Sequence, residues 1–176
     1  IVSTSGAQVN IGETVTISVP VDLPEGTLDS VVVVVSLPRL GAVASVVSSS
    51  VRSVGSRLTL TNYAVGSAGV PSNANPGEDA LSDRLTFDFG QVVNAFDNLH
   101  DDNDKLTVDV VVLIENSVAN VAGSQLAFKA LLQTDLGETS KTHTVTVVEP
   151  KLRIQVASDV NKGDAGTVVR YTATVT

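Results

Sequence analysis

The sequence predicts an all-β protein, an antiparallel immunoglobulin-like β-sandwich, on three observations. Apolar and polar residues alternate with a period of two along most of the 176 residues, which is the pattern of strands with one buried face. Valine, a strand-favouring residue, makes up about a fifth of the chain. Seven or more such segments follow one another without helical periodicity, which favours a sandwich over a parallel sheet with helical crossovers.

In the first half of the chain, alternation predicts strands over 14–21 and 57–61. Between them, residues 30–37 are apolar almost without a break, through five valines. Such a run indicates a strand covered on both faces. No strand is predicted over the serine-rich stretch 42–56. Residues 66–77 collect Gly, Pro, Ser and Asn without periodicity, which predicts a long surface loop.

In the second half, alternation predicts strands over 84–89, 106–114, 126–132 and 141–148. In the first of these, Phe87 and Phe89 share a face. The strand over 106–114 is also partly apolar on its second face, at Val111 and Leu113, so we expect it to be central in its sheet.

Composition excludes several kinds of site and partner. The chain has no cysteine, so it forms no disulfide, thiolate metal site or cysteine nucleophile. The net charge is -8, with 11 basic and 19 acidic residues and no basic cluster, which argues against nucleic acid as a partner. The longest apolar run, 31–35, is too short for membrane insertion. The chain begins with Ile, and we expect it to be a piece of a longer protein.

An internal repeat is the most informative pattern. A shift of about 154 positions places residues 165–175 over 11–21, so that Gly166, Val169 and Val175 fall on Gly12, Val15 and Val21. The alternative is a chance likeness between two amphipathic strands that each follow a glycine turn.

If the repeat is real, residues 1–148 form one complete sandwich repeat. Residues 149–176 are then a linker and the first strands of the next repeat, or strands donated to another chain. Two strands alone are marginally stable in water, so this segment needs further strands to cover it.

Eight segments carry a resemblance to a known family: 9–16, 23–27, 36–38, 85–90, 111–116, 120–124, 147–152 and 163–172. Together they make the chain similar to the extracellular conserved-repeat domains, a family of unknown function found in surface proteins of bacteria and some eukaryotes. The chain departs from the family pattern at Ser36, where an acidic residue is usual. The resemblance implies an extracellular or cell-surface location, a role as stalk, spacer or adhesive module, and no catalytic residues. The internal repeat predicts neighbouring copies of the same repeat as partners.

The candidate metal site is an acidic cluster of Asp101, Asp102 and Asp104, with Asp97 nearby. Glu78, Asp79 and Asp83 of the preceding loop are possible further ligands. Calcium takes six to eight oxygen ligands, which clustered carboxylates can supply. The spacing does not match an EF-hand, and a solvated acidic loop between two strands explains the cluster equally well. No other cofactor is predicted.

Other chemistry-bearing residues give no enzyme prediction. His100 and His143 are far apart in sequence and have no cysteine to complete a zinc site. No Gly-x-Ser-x-Gly elbow is present. Lys129 raises the idea of an isopeptide crosslink, but a lysine on the solvent face of its strand is the preferred interpretation.

Two functional hypotheses follow. The first is a structural repeat of an extracellular filament, stalk or matrix protein that works by packing against neighbouring copies. The alternative is a calcium-dependent adhesive or glycan-binding module that uses the loops 66–83 and 97–104. Thermal melting with calcium and with a chelator separates the two, because an unchanged melting temperature contradicts the second.

Overall fold

A computed structural model describes residues 3–4, 6–38, 44–72, 84–149 and 153–175. These residues form strands, turns and one short 3-10 helix, Asp102–Asp104, and contain no α-helix. No helix that could span a membrane is present among them. The strands are β1 (Ser3–Thr4), β2 (Gln8–Asn10), β3 (Thr14–Asp22), β4 (Gly26–Ser36), β5 (Ala44–Val54), β6 (Leu58–Leu60), β7 (Val70–Ser72), β8 (Arg84–Asn94), β9 (Lys105–Ile114), β10 (Gln125–Thr134), β11 (Gly137–Val148), β12 (Ile154–Ser158) and β13 (Tyr171–Val175).

The strands form two large sheets and one separate pair. The first sheet has the order β1-β3-β9-β5, and the second has the order β2-β11-β10-β4-β8-β6, with β7 also paired to β8. Strands β12 and β13 pair with each other. All pairings are antiparallel except that of β2 with β11, which is parallel. The all-β prediction is therefore confirmed.

The two sheets enclose one apolar core. Strand β9 lies between β3 and β5, as its two apolar faces predicted, and its inward side chains are completely buried. The second sheet contributes valines from β4, phenylalanines from β8 and β10, and valines from β11. The completely buried core residues are Ile17, Val31, Val33, Val35, Phe87, Phe89, Leu106, Val108, Val110, Val112, Ile114, Leu126, Phe128, Val145 and Val147.

The sheet order is immunoglobulin-like, with strands added to the second sheet. In immunoglobulin domains, strands A, B, E and D form one sheet and C, F and G the other. Strands β1, β3, β9 and β5 take the first four places, and β4, β10 and β11 take the other three. The added strands are β2, which pairs with β11, and β6, β7 and β8, which the chain forms after β5 and before it crosses to β9.

The expectation that residues 30–37 are covered on both faces is wrong. In β4, Val31, Val33 and Val35 are buried, whereas Val32 and Val34 are only half-buried on the outer face. Strand β4 lies between β10 and β8 within its sheet. The valine run therefore marks a strand that is central in its sheet, where β-branched residues favour the extended backbone.

The serine-rich stretch 42–56, for which no strand was predicted, contains the edge strand β5. Two register irregularities, between Val46 and Ser48 and between Val51 and Ser53, interrupt its pairing with β9. Each bulge adds one residue to the strand, so the residues that follow it point to the opposite faces of the sheet. The buried positions of β5 therefore do not alternate with a period of two along the sequence. Bulged, polar edge strands are also poor templates for aggregation.

The predicted loop 66–77 is partly structured. It contains the short strand β7, and Gly69 is buried against Phe87, whose ring would lie 2.8 Å from a Cβ at that position. Residues 73–83 lie outside the described residues, and with them the possible calcium ligands Glu78, Asp79 and Asp83.

Candidate functional site

The acidic segment between β8 and β9 folds as a capped turn. The carboxylate of Asp101 accepts a hydrogen bond from the backbone N–H of Asn103 at 2.7 Å. In return, Asp104 Oδ2 accepts one from the backbone N–H of Asp101 at 3.0 Å. This reciprocal arrangement is a capping box around the 3-10 helix. Two of the three candidate calcium ligands therefore satisfy backbone donors.

The other carboxylates of the cluster pair with cations. Asp102 is almost fully exposed and lies 2.9 Å from Lys105 Nζ, which also lies 3.7 Å from Asp22. Asp97 lies 2.8 Å from the guanidinium of Arg57. The Lys105 ammonium lowers the pKa of Asp102, chiefly through their hydrogen bond, and the pKa of Lys105 rises for the same reason.

The structure thus brings Asp101 and Asp104 together and directs Asp102 toward Lys105. Among the described residues, no three acidic or histidine side chains are arranged to hold a metal ion. Calcium binding by Asp101, Asp102 and Asp104 stays a prediction. The spacing Asp-x-x-Asp at 101–104 was the sequence signal of a capping box, although glutamate is more usual at the last position.

Asp104 also connects the turn to the sandwich. Its carboxylate is buried, and its backbone oxygen accepts a hydrogen bond from the N–H of Leu23 at 3.1 Å. The buried side chain of Asn94 lies beside it and donates to Leu23 O at 2.9 Å. The pKa of Asp104 is lowered, first by the backbone N–H of Asp101 and second by the Asn94 side chain. The site is therefore a polar junction between β8, the β3–β4 turn and β9.

This lowered pKa predicts a pH dependence of stability. A carboxylate whose pKa is lower in the folded than in the unfolded state stabilises the fold fully above the unfolded value, about 4. That contribution is lost as pH falls through the folded value. We expect Asp104→Asn, which keeps an oxygen acceptor but cannot titrate there, to lose less stability than wild type between pH 7 and pH 3. Urea denaturation at the two pH values measures this, and equal losses would contradict it.

The remaining candidate residues are on strands and loops rather than in one site. Lys129 is exposed on β10, which confirms the solvent-face interpretation. His143 lies on β11 opposite Phe128, and His100 lies in the loop before the 3-10 helix. A groove of about 210 Å³ between β3 and the β10–β11 pair is lined by apolar side chains, with Asp22 and Lys141 among its polar residues.

The first and last strands of the sandwich are neighbours in their pairing and direction. Strand β1 is antiparallel to β3, and Ser3 and Thr4 pair with Ser18 and Ile17. The chain then continues into β2, which pairs in parallel with the last strand of the sandwich, β11. Both β2 and β11 end at the same end of the sandwich, where Val148 is paired with Asn10. The first and last strands of the sandwich therefore run in the same direction.

Hydrogen bonds hold the end at which these strands finish. Thr146 N–H donates to Ala7 O at 2.9 Å. A turn follows β2, in which Glu13 N–H donates to Asn10 O at 3.1 Å and Gly12 has a φ of 84°. Positive φ makes glycine the favoured residue there. Gly12 N–H in turn donates to Ile114 O at 2.8 Å, so this turn is joined to both sheets.

No protein-family model matches the chain, and no curated protein matches it significantly. Its fold is similar to several solved structures. The cohesin module from a Clostridium perfringens ATCC13124 family 33 glycoside hydrolase shares 11% identity and a TM-score of 0.46, with 85% of this chain and 96% of that chain covered.

Two further structures show comparable similarity. AvmM, described as catalysing macrocyclization in alchivemycin A biosynthesis, shares 9% identity and a TM-score of 0.42 over 86% of this chain and 89% of that chain. ACE19, the collagen-binding subdomain of the Enterococcus faecalis surface protein ACE, shares 10% identity and a TM-score of 0.39 over 84% and 96%. Similarities of this size establish neither a family nor a function.

Proposed function

We propose that this chain is a non-catalytic structural module of an extracellular filament, stalk or cell-surface protein, which acts as a spacer and packs against neighbouring copies. The observation that carries the proposal is the parallel pairing of β2 with β11. It means that the chain enters the sandwich along β2 and leaves it along β11 in the same direction, toward the end at which Asn10 pairs with Val148. A spacer in a linear array needs this arrangement, because each unit then adds its length to the array.

The same geometry determines how the module responds to tension. When the two ends are pulled apart, β2 and β11 are drawn in opposite directions along their common axis. Their hydrogen bonds lie across this direction, so they are loaded together in shear. A hairpin pulled open from one end instead loses its hydrogen bonds one after another. We therefore expect β2 and β11 to act as the load-bearing contact.

Single-molecule force spectroscopy tests this proposal. The chain has no cysteine, so Ser3→Cys with Glu149→Cys provides unique attachment points for pulling along the axis. The comparison is Gln125→Cys with Glu149→Cys, which pulls β10 and β11 apart from the open end of their hairpin, where Gln125 pairs with Thr146. We expect a clearly higher unfolding force in the first geometry. Equal forces in the two geometries would overturn the load-bearing role.

A proline substitution locates the contact. Thr146→Pro removes the N–H that donates to Ala7 O, and we expect it to lower the axial unfolding force. Its matched control is Thr142→Pro, because alternation points the N–H of Thr142 to the same side of β11, four residues before the β2 pairing. Thr142 pairs with Lys129 of β10 on one side of β11, and no described strand pairs with it on the β2 side. The calcium-dependent adhesive or glycan-binding alternative stays a prediction.

A further inference from the structure

We infer that β12 and β13 are the first hairpin of a second sandwich of this fold, and that their apolar face packs against a second copy of segment 22–148. The inference rests on the proposed function and names its partner surface. It is carried by the pairing of the strands, by the turn between them and by the surface that they expose.

The pairing of β12 with β13 repeats that of β1 with β3. In the first sandwich Ser3 pairs with Ser18 and Thr4 with Ile17. A shift of 154 positions turns these pairs into Ala157 with Thr172 and Ser158 with Tyr171, which are the pairs observed in the C-terminal segment. A one-residue slip in either strand would break this agreement and reverse the faces of its side chains.

The turn before the second strand is also repeated. In the first sandwich Glu13 N–H donates to Asn10 O at 3.1 Å, and Gly12 has a φ of 84°. The positions 154 residues later are Thr167 and Asp164, whose N–H and O form the same bond at 3.0 Å, and Gly166 has a φ of 91°. The likeness first seen in the sequence thus extends to hydrogen bonding and backbone conformation.

The two segments differ in what covers them. In β3 the inward side chains Val15, Ile17, Val19 and Val21 are buried. The equivalent residues of the C-terminal segment are Val169, Tyr171, Ala173 and Val175, and the last three, which lie in β13, are exposed. Their neighbours across the pair, Ile154 and Val156, are exposed on the same face. Tyr171, the largest of these residues, is 71% exposed. An apolar face of this kind marks an interaction site.

The first sandwich shows which surface fits this face. Strand β9 lies beside β3, and Val19 and Val21 line a groove whose opposite wall is Val33, Ala130 and Leu132. Ile154 and Val156 lie across from Ala173 and Val175, the equivalents of Val19 and Val21. In a second copy these two side chains would therefore lie over the same groove. Side-chain volume is redistributed along this face. A larger Tyr171 replaces Ile17, and a smaller Ala173 replaces Val19.

The two segments also differ at β2, and the missing second copy of segment 22–148 explains this difference. Residues 162–164 correspond to β2, yet the structure assigns them to no strand. In the first sandwich, β2 exists by pairing with β11, and the partner equivalent to β11 belongs to segment 22–148 of the second copy. We expect residues 162–164 to become a strand when that copy is supplied.

The test is an extended chain in which residues 22–148 follow Val175, as Asp22 follows Val21. Hydrogen exchange of peptides from residues 154–175 is compared with that of the 176-residue chain. We expect exchange in the hairpin to slow by about a hundredfold or more, because its amides then belong to a cooperative unit. Residues 162–164 should gain protection as well.

Two variants of the extended chain make the result decisive. Tyr171→Asp places a charge on the packed face and should abolish the protection. Tyr171→Ile with Ala173→Val restores the side chains of β3 and should retain or increase it. The inference is overturned if the hairpin exchanges as fast in the extended chain and in the double variant as in the 176-residue chain. The pulling experiment between residues 3 and 149 leaves the hairpin outside the loaded segment, so failure of one proposal is distinguishable from failure of the other.

Discussion

Replacing Phe87 with alanine is expected to lower the free energy of unfolding by about 3 to 5 kcal/mol, the range for large-to-small substitutions of buried phenylalanine. Phe87 is completely buried, and its ring lies 6.5 Å from that of Phe89 and 6.1 Å from that of Tyr63. The ring also packs against Gly69, which has no side chain that could move into the space left by the ring. The cavity would therefore remain, and its cost adds to the lost apolar burial.

Urea denaturation of the purified variants measures this effect, and Phe96→Ala is its matched control. Phe96 is 73% exposed, so its removal should change the free energy of unfolding by no more than about 0.5 kcal/mol. Similar changes in the two variants would mean that Phe87 does not lie in the core. A changed slope of the denaturation curve would indicate that the unfolded state has also changed.

Gly55→Ala should have the second large effect, a destabilisation of about 3 kcal/mol. Gly55 follows β5, and a Cβ at this position would overlap the backbone carbonyl of Asn103. Backbone atoms cannot rotate away as a flexible side chain can. Relief of the overlap requires the Gly55 strand end to separate from the acidic turn, which strains the hydrogen bonds from Gly55 N–H to Lys105 O and from Arg57 N–H to Asn103 O.

The control for this substitution is Gly6→Ala, where the nearest atom to an added Cβ, Gln8 O, lies at 3.4 Å. That distance is ordinary contact, and we expect a change within about 0.5 kcal/mol. Thermal unfolding followed by circular dichroism compares the two. Equal melting temperatures for Gly55→Ala and Gly6→Ala would contradict the close approach of the end of β5 to the acidic turn.

Strands with a clear period of two could be predicted from sequence. Segments 14–21, 106–114 and 126–132 each lie in a strand whose alternate residues are buried, because a strand directs every second side chain into the core. Strand β5 was not predicted because its two bulges change which residues point into the core. The run 31–35 was misread because central position in a sheet and burial on both faces favour the same residues.

The acidic cluster shows a second reason why the sequence alone could not predict the candidate site. Sequence indicates that carboxylates gather at 101–104, and calcium ligation and turn capping use the same residues at nearly the same spacing. Which of these two roles the carboxylates take depends on the direction in which each side chain points. Asp101 and Asp104 turn toward backbone donors, and Asp102 turns toward Lys105. Directions of this kind follow from how β8, the turn and β9 pack.

The sequence by itself determined the all-β class, most of the inward faces, and the likeness between residues 11–21 and 165–175. These are local properties, since side-chain alternation and a glycine with positive φ depend on the residue and its nearest neighbours. Only the tertiary structure decided which strands pair, that β2 runs parallel to β11, and that β12 and β13 share the register of β1 and β3. Pairing joins residues far apart in the chain, and strands of similar composition compete for the same partner until the whole core selects one register.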